Sequence, residues 1–176
     1  MTDDLGARLK AASLLEGDFV LRSGKRSRFY LDKYLFETQP ALLADIAAAL
    51  AEKVAAYRPY DLLAGPELGA VALVTALSLE TRMPFIIVRK GEKGYGTKRS
   101  FEGRADPGQS VVVVEDVVTT GGAALSAVER LREHGLSVRA LVCVVDRRQG
   151  GAEAFAAAGV PFDPLFTVDG LGIRIE

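Results

Sequence analysis

The chain alternates short apolar runs with segments of helical periodicity. Leu43, Ile46, Leu50 and Val54 fall on one stripe, which predicts a helix over residues 38–57 with Thr38 as its N-cap. Further helices are predicted at 68–79, 123–134 and 151–158, and strands at 61–64, 85–89, 110–114, 138–145 and 162–168. Nearer the N-terminus, residues 18–21 and 29–32 are predicted to be extended on either side of a polar turn.

Two of the predicted strands are apolar at every position rather than at alternate ones, namely residues 111–114 and 141–145. Strands of this kind have helices on both faces, which is typical of a parallel sheet. The pattern therefore predicts an α/β fold with a Rossmann-like, mainly parallel sheet flanked by helices. In such sheets the ligand site lies at the carboxyl ends of the strands.

Composition narrows the functional classes. Lys and Arg number 22 and Asp and Glu 23, so the net charge is −1, and we expect no nucleic-acid partner that is bound mainly through phosphates. One Cys and one His exclude a disulfide framework and a zinc site built from soft ligands. The acidic N-terminus is no signal peptide, and no apolar run approaches the ~20 residues that span a bilayer, so we expect a cytoplasmic protein without a membrane partner.

The sequence VVVVEDVVTTGGA, residues 111–123, carries the main functional signal. A helix that starts after small residues presents free N–H groups and its positive dipole end, which suits a phosphate. The glycines allow close backbone approach and positive φ. The carboxylates of Glu115 and Asp116 can accept hydrogen bonds from a sugar diol or hold Mg²⁺ through water. Together these parts predict a site for a ribose 5-phosphate.

A purely structural interpretation of this segment also exists, because a strand, a glycine-rich turn and a helix recur in many α/β proteins. The combination of a buried strand, paired acids and glycines in this spacing favours function. No Gly-Lys-Ser/Thr follows, so the turn is not a P-loop, and it is not the G-x-G-x-x-G of nicotinamide-binding proteins.

The same segment resembles the signature of the type I phosphoribosyltransferases, which bind 5-phosphoribosyl-1-diphosphate (PRPP), and nearly the whole chain is similar to the orotate phosphoribosyltransferases. The resemblance implies one phosphoribosyltransferase domain over residues 1–176, with a small N-terminal hood over residues 1–36. It also implies transfer of ribose 5-phosphate from PRPP to orotate in pyrimidine biosynthesis, with Mg²⁺ held by PRPP and water rather than by direct protein ligands. The implied PRPP-binding residues are Arg89, Lys90, Lys93, Tyr95, Glu115, Asp116, Val117, Val118, Thr119, Thr120, Gly121, Gly122 and Ala123.

Residues 89–104, RKGEKGYGTKRSFEGR, are rich in cations and glycine and predict a mobile cationic loop. Such a loop could close over a polyanion, or it could be an ordinary solvated surface segment. Its order of residues is similar to the catalytic loop of the orotate phosphoribosyltransferases. The resemblance implies catalytic roles for Lys93, which would help the diphosphate leave, and for Asp116. It further implies a homodimer in which this loop reaches the partner's active site.

The base pocket is also assigned by resemblance. The segment LRSGKRSRFYLD, residues 21–32, and the segment VVDRR, residues 144–148, resemble the orotate side of the family's site. Arg147 would hold the orotate carboxylate, since guanidinium binds a carboxylate in a fixed two-bond fork. The other implied orotate contacts are Arg22, Tyr30 and Thr119, with Arg148 as an alternative to Arg147.

One position departs from the family pattern. In the loop GPELG, residues 65–69, several family members carry a Lys where this chain has Leu68, so diphosphate contacts from this loop are expected to be backbone N–H groups. Three alternatives to an orotate enzyme stay open: a PRPP-dependent transferase for another base, a PRPP-sensing regulator of transcription, and a ribose-phosphate-binding protein that has lost activity.

Overall fold

The computed structural model describes residues 2–20, 26–91 and 100–173. Its helices are α1 (Thr2–Ser13), α2 (Lys33–Glu37), α3 (Pro40–Ala55), α4 (Ala70–Thr81), α5 (Gly122–Glu133) and α6 (Gly151–Ala157). Its strands are β1 (Leu14–Val20), β2 (Arg26–Leu31), β3 (Leu62–Pro66), β4 (Phe85–Val88), β5 (Phe101–Glu102), β6 (Ser110–Val118), β7 (Ser137–Asp146) and β8 (Phe162–Thr167). None of the helices in the described part of the chain has the length and apolar character needed to cross a membrane.

A six-stranded sheet forms the centre of the fold, in the order β5-β4-β3-β6-β7-β8. Strands β3, β4, β6, β7 and β8 pair in parallel, and β5 alone pairs antiparallel, with β4. The predicted α/β class with a mainly parallel sheet is confirmed. Because β3 and β6 are neighbours, their carboxyl ends come together although 43 residues lie between Pro66, the end of β3, and Ser110, the start of β6.

The valines of β6 explain why its apolar run is continuous. Val111 and Val113 face a core that contains Val128 and Leu131 of α5. Val112 and Val114 face a second core on the opposite side, built with the apolar stripes of α3 and α4. Because both faces of the strand are buried, apolar residues are needed at every position and not only at alternate ones.

The N-terminal segment packs on the second of these cores. Strands β1 and β2 form an antiparallel pair, and Leu5 and Leu9 of α1 join Phe36 of α2 in the buried cluster. The side chain of Asp32 caps α2 by accepting a hydrogen bond of 3.1 Å from the Tyr34 N–H. This short helix was missed by the sequence analysis because five residues carry too little periodicity to be recognised.

Several predicted boundaries were wrong. Thr38 is not an N-cap: it ends α2, donating through Oγ1 to Tyr34 O at 2.6 Å, and α3 begins instead with Pro40 at its first turn. Strand β6 continues through Val118, so the acid pair lies within the strand rather than after it. Residues 101–102, expected within the cationic loop, pair with β4 as β5.

Candidate active site

A cavity of about 200 Å³ lies at the carboxyl ends of β3, β4 and β6. It brings together six of the predicted PRPP-binding residues: Arg89, Lys90, Glu115, Asp116, Val117 and Ala123. A larger open groove of about 910 Å³ runs between α1, α3 and β8 but contains none of the predicted site residues. The smaller cavity is therefore the candidate site, at the edge of the sheet where the fold class places ligands.

Asp116 is buried at the floor of this cavity, with its side chain 2% exposed. Its Oδ1 accepts a hydrogen bond from the Val117 N–H, and its Oδ2 accepts one from the ammonium of Lys33 in α2. The N-terminal segment thus supplies the counter-ion of a carboxylate on the central strand. Burial opposes the charged form of Lys33, but the hydrogen bond to Asp116 and the nearby negative charges together outweigh it and raise the pKa of the lysine.

Glu115 differs from its neighbour, because its Oε2 is buried without a hydrogen-bond partner. Burial, followed by the nearby Asp116 carboxylate, raises the pKa of Glu115 to about 8, and Lys33 and Lys90 only partly oppose this. The surroundings of Glu115 therefore favour the protonated form of its side chain. A buried acceptor without a partner is the environment that a ligand hydroxyl can satisfy.

Glu37 of α2 is a third buried acid near this ion pair and was not anticipated from the sequence. Its side chain Oε1 has no hydrogen-bond partner. Burial and the Asp116 carboxylate raise its pKa to about 8, with Lys33 opposing. The floor of the site is thus a group of three acids around one ammonium.

The predicted phosphate-binding turn joins β6 to α5. Gly121 caps α5 with φ of +80°, a conformation that favours glycine, and a β-carbon there would also crowd Phe155. Thr120, Gly122 and Ala123 are exposed. The first N–H groups of a helix lack partners within it, so the open turn offers donors at the positive end of the helix dipole.

The loop of residues 65–69 forms one wall of the cavity. Glu67 ties it to the neighbouring strand: its N–H donates to Val88 O at 2.8 Å, and its Oε1 accepts from the Lys90 N–H at 2.8 Å. Leu68 is 66% exposed and carries no charge to this wall. Gly69 lies against Asp116 Oδ2 so closely that no β-carbon would fit there.

The described start of the cationic loop is held by a guanidinium from α5. Arg130 donates to the carbonyl oxygens of Arg89 and Lys90, the latter at 2.9 Å. The Arg89 side chain forms an ion pair with Glu102 of β5 at 3.1 Å. The helix that begins at the phosphate turn thus also fixes the backbone from which the cationic loop departs.

The predicted base pocket is partly assembled beside the phosphate turn. Arg147 is half-buried at the end of β7, and its N–H donates to Val118 O at 2.8 Å. Burial lowers the pKa of its guanidinium, while the nearby Tyr30 raises it, so the structure brings these two predicted residues together. Arg148 instead turns towards Asp169, with 3.6 Å between Nε and Oδ2. Thr119 is half-buried at the start of the turn.

Three predicted residues, Arg22, Lys93 and Tyr95, lie outside the described residues. The residues that sequence reasoning missed are Lys33, Glu37 and Arg130, whereas Glu67 and Gly69 lie in the loop of residues 65–69 that was expected to contact the diphosphate. The sequence contains a weak signal for Lys33 and Glu37: they are four residues apart, with the apolar Leu35 and Phe36 between them, so they would lie on the same face of a helix. Arg130 was indistinguishable from a solvated helix charge.

Comparisons with known proteins agree with this geometry. A family model described as phosphoribosyl transferase domain matches residues 36–158. An orotate phosphoribosyltransferase of Halobacterium salinarum is 46% identical over 171 residues, which cover 97% of this chain and 96% of that protein.

Solved structures give the same result. The crystal structure of orotate phosphoribosyltransferase from Aeropyrum pernix superposes with a TM-score of 0.86 at 32% identity and covers 95% of each chain. A Mycobacterium tuberculosis orotate phosphoribosyltransferase, crystallised in complex with PRPP, superposes with a TM-score of 0.82 at 29% identity and covers 98% of this chain and 99% of that one.

Proposed function

The chain belongs to the phosphoribosyl transferase domain family and, within it, to the orotate phosphoribosyltransferases, and from this premise we propose which of its residues carry the reaction. The enzyme transfers ribose 5-phosphate from PRPP to orotate and yields orotidine 5′-phosphate and diphosphate, a step of pyrimidine biosynthesis. One observation supports this assignment: the predicted site residues follow one another at one edge of the sheet. The acids Glu115 and Asp116 of β6 lie shortly before the open N-terminus of α5, and the Arg147 N–H donates to Val118 O at the end of β6.

The turn from Thr119 to Ala123 binds the 5′-phosphate. Its exposed backbone N–H groups and the positive end of the α5 dipole can bind an anion without a cationic side chain. Val117 and Val118 hold this turn at the end of β6, where Val118 O receives the Arg147 N–H. The phosphate-binding turn and the base pocket therefore lie at the ends of two hydrogen-bonded strands, β6 and β7.

Glu115 and Asp116 receive the hydroxyls of the ribose. The unpartnered Oε2 of Glu115 supports this role, since a ligand hydroxyl would give it the hydrogen bond it lacks. Fixing the sugar matters because the bond between its C1 and the diphosphate oxygen breaks, and the electron pair leaves with the diphosphate. A pyrimidine nitrogen of orotate then forms the new bond to C1 and gives up its proton to the departing diphosphate or to water. The protein contributes mainly position and electrostatic stabilisation.

Arg89, Lys90 and the predicted loop residues Lys93 and Tyr95 bind the diphosphate. Among the described residues, no cluster of three or more His, Cys, Asp or Glu side chains could hold a metal, and Asp116 is already paired with Lys33. We therefore expect Mg²⁺ to be held by oxygens of the PRPP phosphates and by water rather than by direct protein ligands. When bound, the ion offsets negative charge on the departing diphosphate.

Arg147 and Tyr30 form the orotate side, with Arg22 and Thr119 completing it. The Arg147 backbone is fixed after β7 by its N–H bond to Val118 O, and its half-buried guanidinium can make a two-bond contact with the orotate carboxylate. This contact also selects orotate over uracil or hypoxanthine, which lack the carboxylate. The pair of Arg147 and Tyr30 therefore argues against a transferase for another base.

The experiment is a steady-state assay of diphosphate release with PRPP and Mg²⁺ against orotate, uracil and hypoxanthine. We expect turnover with orotate alone, and Arg147→Ala should raise the KM for orotate much more than the KM for PRPP. An equal rise in both would remove Arg147 from the base pocket. Turnover with hypoxanthine instead of orotate would contradict the substrate, and retarded DNA in a gel shift without diphosphate release would favour a regulator.

We also propose that the enzyme acts in the cytoplasm as a homodimer whose cationic loop completes the partner's site. The exposed apolar side chains of Leu68 and Leu79, each 66% exposed, support a contact between copies near α4.

A further inference from the structure

Four cations line the candidate site: Lys33 from α2, Arg89 and Lys90 after β4, and Arg130 from α5, and the Arg89 guanidinium is already paired with Glu102. The guanidinium of Arg130 is engaged with backbone carbonyls of the loop start. The wall formed by residues 65–69 has Glu67 as its one charged side chain. Lys33 Nζ lies next to Gly69 of this wall, so the N-terminal segment supplies an ammonium beside it.

Lys33 covers the carboxylate that the ribose needs. The Lys33 side chain is 32% exposed and that of Asp116 only 2%, so the ammonium lies between Asp116 and the open cavity. On the other side, Gly69 lies against the same Oδ2. A sugar hydroxyl that approaches Asp116 Oδ2 therefore competes with the Lys33 ammonium for this oxygen.

We propose that Lys33 is a diphosphate-binding residue, and that its ammonium exchanges Asp116 for the diphosphate when PRPP binds. This inference rests on the proposed function. Two features permit the exchange: Lys33 is the first residue of α2, and its four-carbon stem lets the ammonium turn about that point. The diphosphate offers a partner of higher negative charge, at the wall of the cavity that otherwise lacks a cation.

The exchange leaves no buried charge unpaired. As the ammonium leaves, the ribose hydroxyls replace it as hydrogen-bond donors to Asp116, so the buried carboxylate keeps partners throughout. The consequence is selectivity for the activated sugar. Ribose 5-phosphate has the same hydroxyls but no diphosphate, so it must compete with Lys33 for Asp116, whereas PRPP draws Lys33 away.

The test compares two ligands by calorimetry in Mg²⁺-containing buffer. Lys33→Met keeps the length of the side chain and removes the charge. We expect its affinity for PRPP to fall at least about tenfold, the loss of one charge-assisted contact, while its affinity for ribose 5-phosphate is unchanged or rises. An equal loss for both ligands would mean that Lys33 acts only by orienting Asp116 and would overturn the exchange, as would no loss for either.

A second background guards against a folding defect, because Lys33→Met leaves Asp116 buried without its counter-ion. Asp116→Asn removes that charge. Adding Lys33→Met to Asp116→Asn should still reduce PRPP affinity at least about tenfold, because the diphosphate contact does not pass through residue 116. If the second substitution changes nothing in this background, the proposal is wrong.

The matched control is Lys53→Met, which breaks the ion pair between Lys53 Nζ and Asp163 Oδ1, 2.6 Å apart, in the groove away from the site. The two side chains of this control pair are 29% and 31% exposed. Its affinity for both ligands should match wild type. Wild-type protein that neither binds PRPP nor releases diphosphate with orotate would contradict the proposed function itself. That result is distinct from a Lys33→Met variant with wild-type PRPP affinity, which would contradict only the exchange.

Discussion

Gly69 and Asp116 lie in direct contact, and a β-carbon at residue 69 would overlap Asp116 Oδ2 and Lys33 Nζ. The backbone of Gly69 has φ of −58° and ψ of −45°, an ordinary helical conformation that any residue adopts. Glycine is therefore required here by space rather than by backbone geometry. The missing side chain lets an ion pair between the N-terminal segment and the central strand form under the wall of the active site.

Gly69→Ala should displace either the carboxylate or the ammonium and weaken PRPP binding at least about tenfold, the scale of one lost charged hydrogen bond. The thermal midpoint should also fall, because a buried carboxylate loses part of its pairing. Calorimetric titration with PRPP, together with a melting curve, measures both effects. A folded Gly69→Ala protein with wild-type PRPP affinity would show that the contact has no role in binding.

Stability should depend on pH through Glu37. Burial and the carboxylates of Asp116 and Asp32 raise its pKa from the ordinary 4.5 to about 8, against the opposing Lys33. Between these values the folded protein holds a proton that the unfolded chain has lost, so the free energy of unfolding falls as pH rises from about 5 to about 8. Above that range both states are ionised at this residue and its contribution is constant.

Glu37→Gln replaces the protonated acid by a neutral side chain of the same shape. The free energy of unfolding in urea of the variant, relative to that of wild type, should therefore increase as pH rises from 5.5 to 8. Glu129→Gln, on the exposed face of α5, is the control and should follow the wild-type profile. Parallel profiles for wild type and Glu37→Gln would mean that the buried acid does not titrate in this range.

The start of the cationic loop should depend on Arg130. Arg130→Met removes the donors to the carbonyl oxygens of Arg89 and Lys90, so the side chains that we propose to bind diphosphate lose their fixed backbone. We expect kcat/KM for PRPP to fall about tenfold or more, the order expected when charged hydrogen bonds that position a reacting group are lost. The Tm should change little by comparison.

Arg132→Met is the matched control for this effect. Arg132 lies two residues further along α5 and also donates to a backbone carbonyl, that of Ala158, at 3.1 Å. Its loss removes a similar bond at a place remote from the loop. Equal kinetic effects of the two substitutions would show that Arg130 acts through the stability of α5 and not through the loop.

The sheet and its site edge could be predicted because they depend on local signals. Four consecutive valines require two buried faces, and a Thr-Gly turn after them requires a particular backbone at Gly121. Those features lie in one continuous stretch of chain, so their spacing is visible in the sequence. The strand ends were less predictable, because pairing with β7 extends β6 through Val118 beyond its apolar run.

The ion pair at the floor of the site could not be predicted, because its partners come from distant parts of the chain. Lys33 and Asp116 are 83 residues apart, and nothing local marks a lysine in a five-residue helix as the counter-ion of a buried strand. The same holds for Arg130, whose contacts to residues 89 and 90 cross from one helix to another strand's end. Such groups are recognised only once the fold has brought them together.

Mixing two impaired variants, assayed at an orotate concentration far below the raised KM of Arg147→Ala, tests whether the cationic loop serves the partner subunit. Lys93→Ala disables the loop and Arg147→Ala the base pocket, so a mixed dimer contains one site with both residues intact only if the loop crosses the interface. Random reassortment should restore about a quarter of wild-type turnover, since half of the dimers are mixed and each has one working site. The measurement is the rate of diphosphate release after the two proteins are mixed under exchanging conditions, with each variant alone as control. Turnover that stays at the level of the separate variants, in a sample shown by mass to contain mixed dimers, would mean that each loop serves its own subunit.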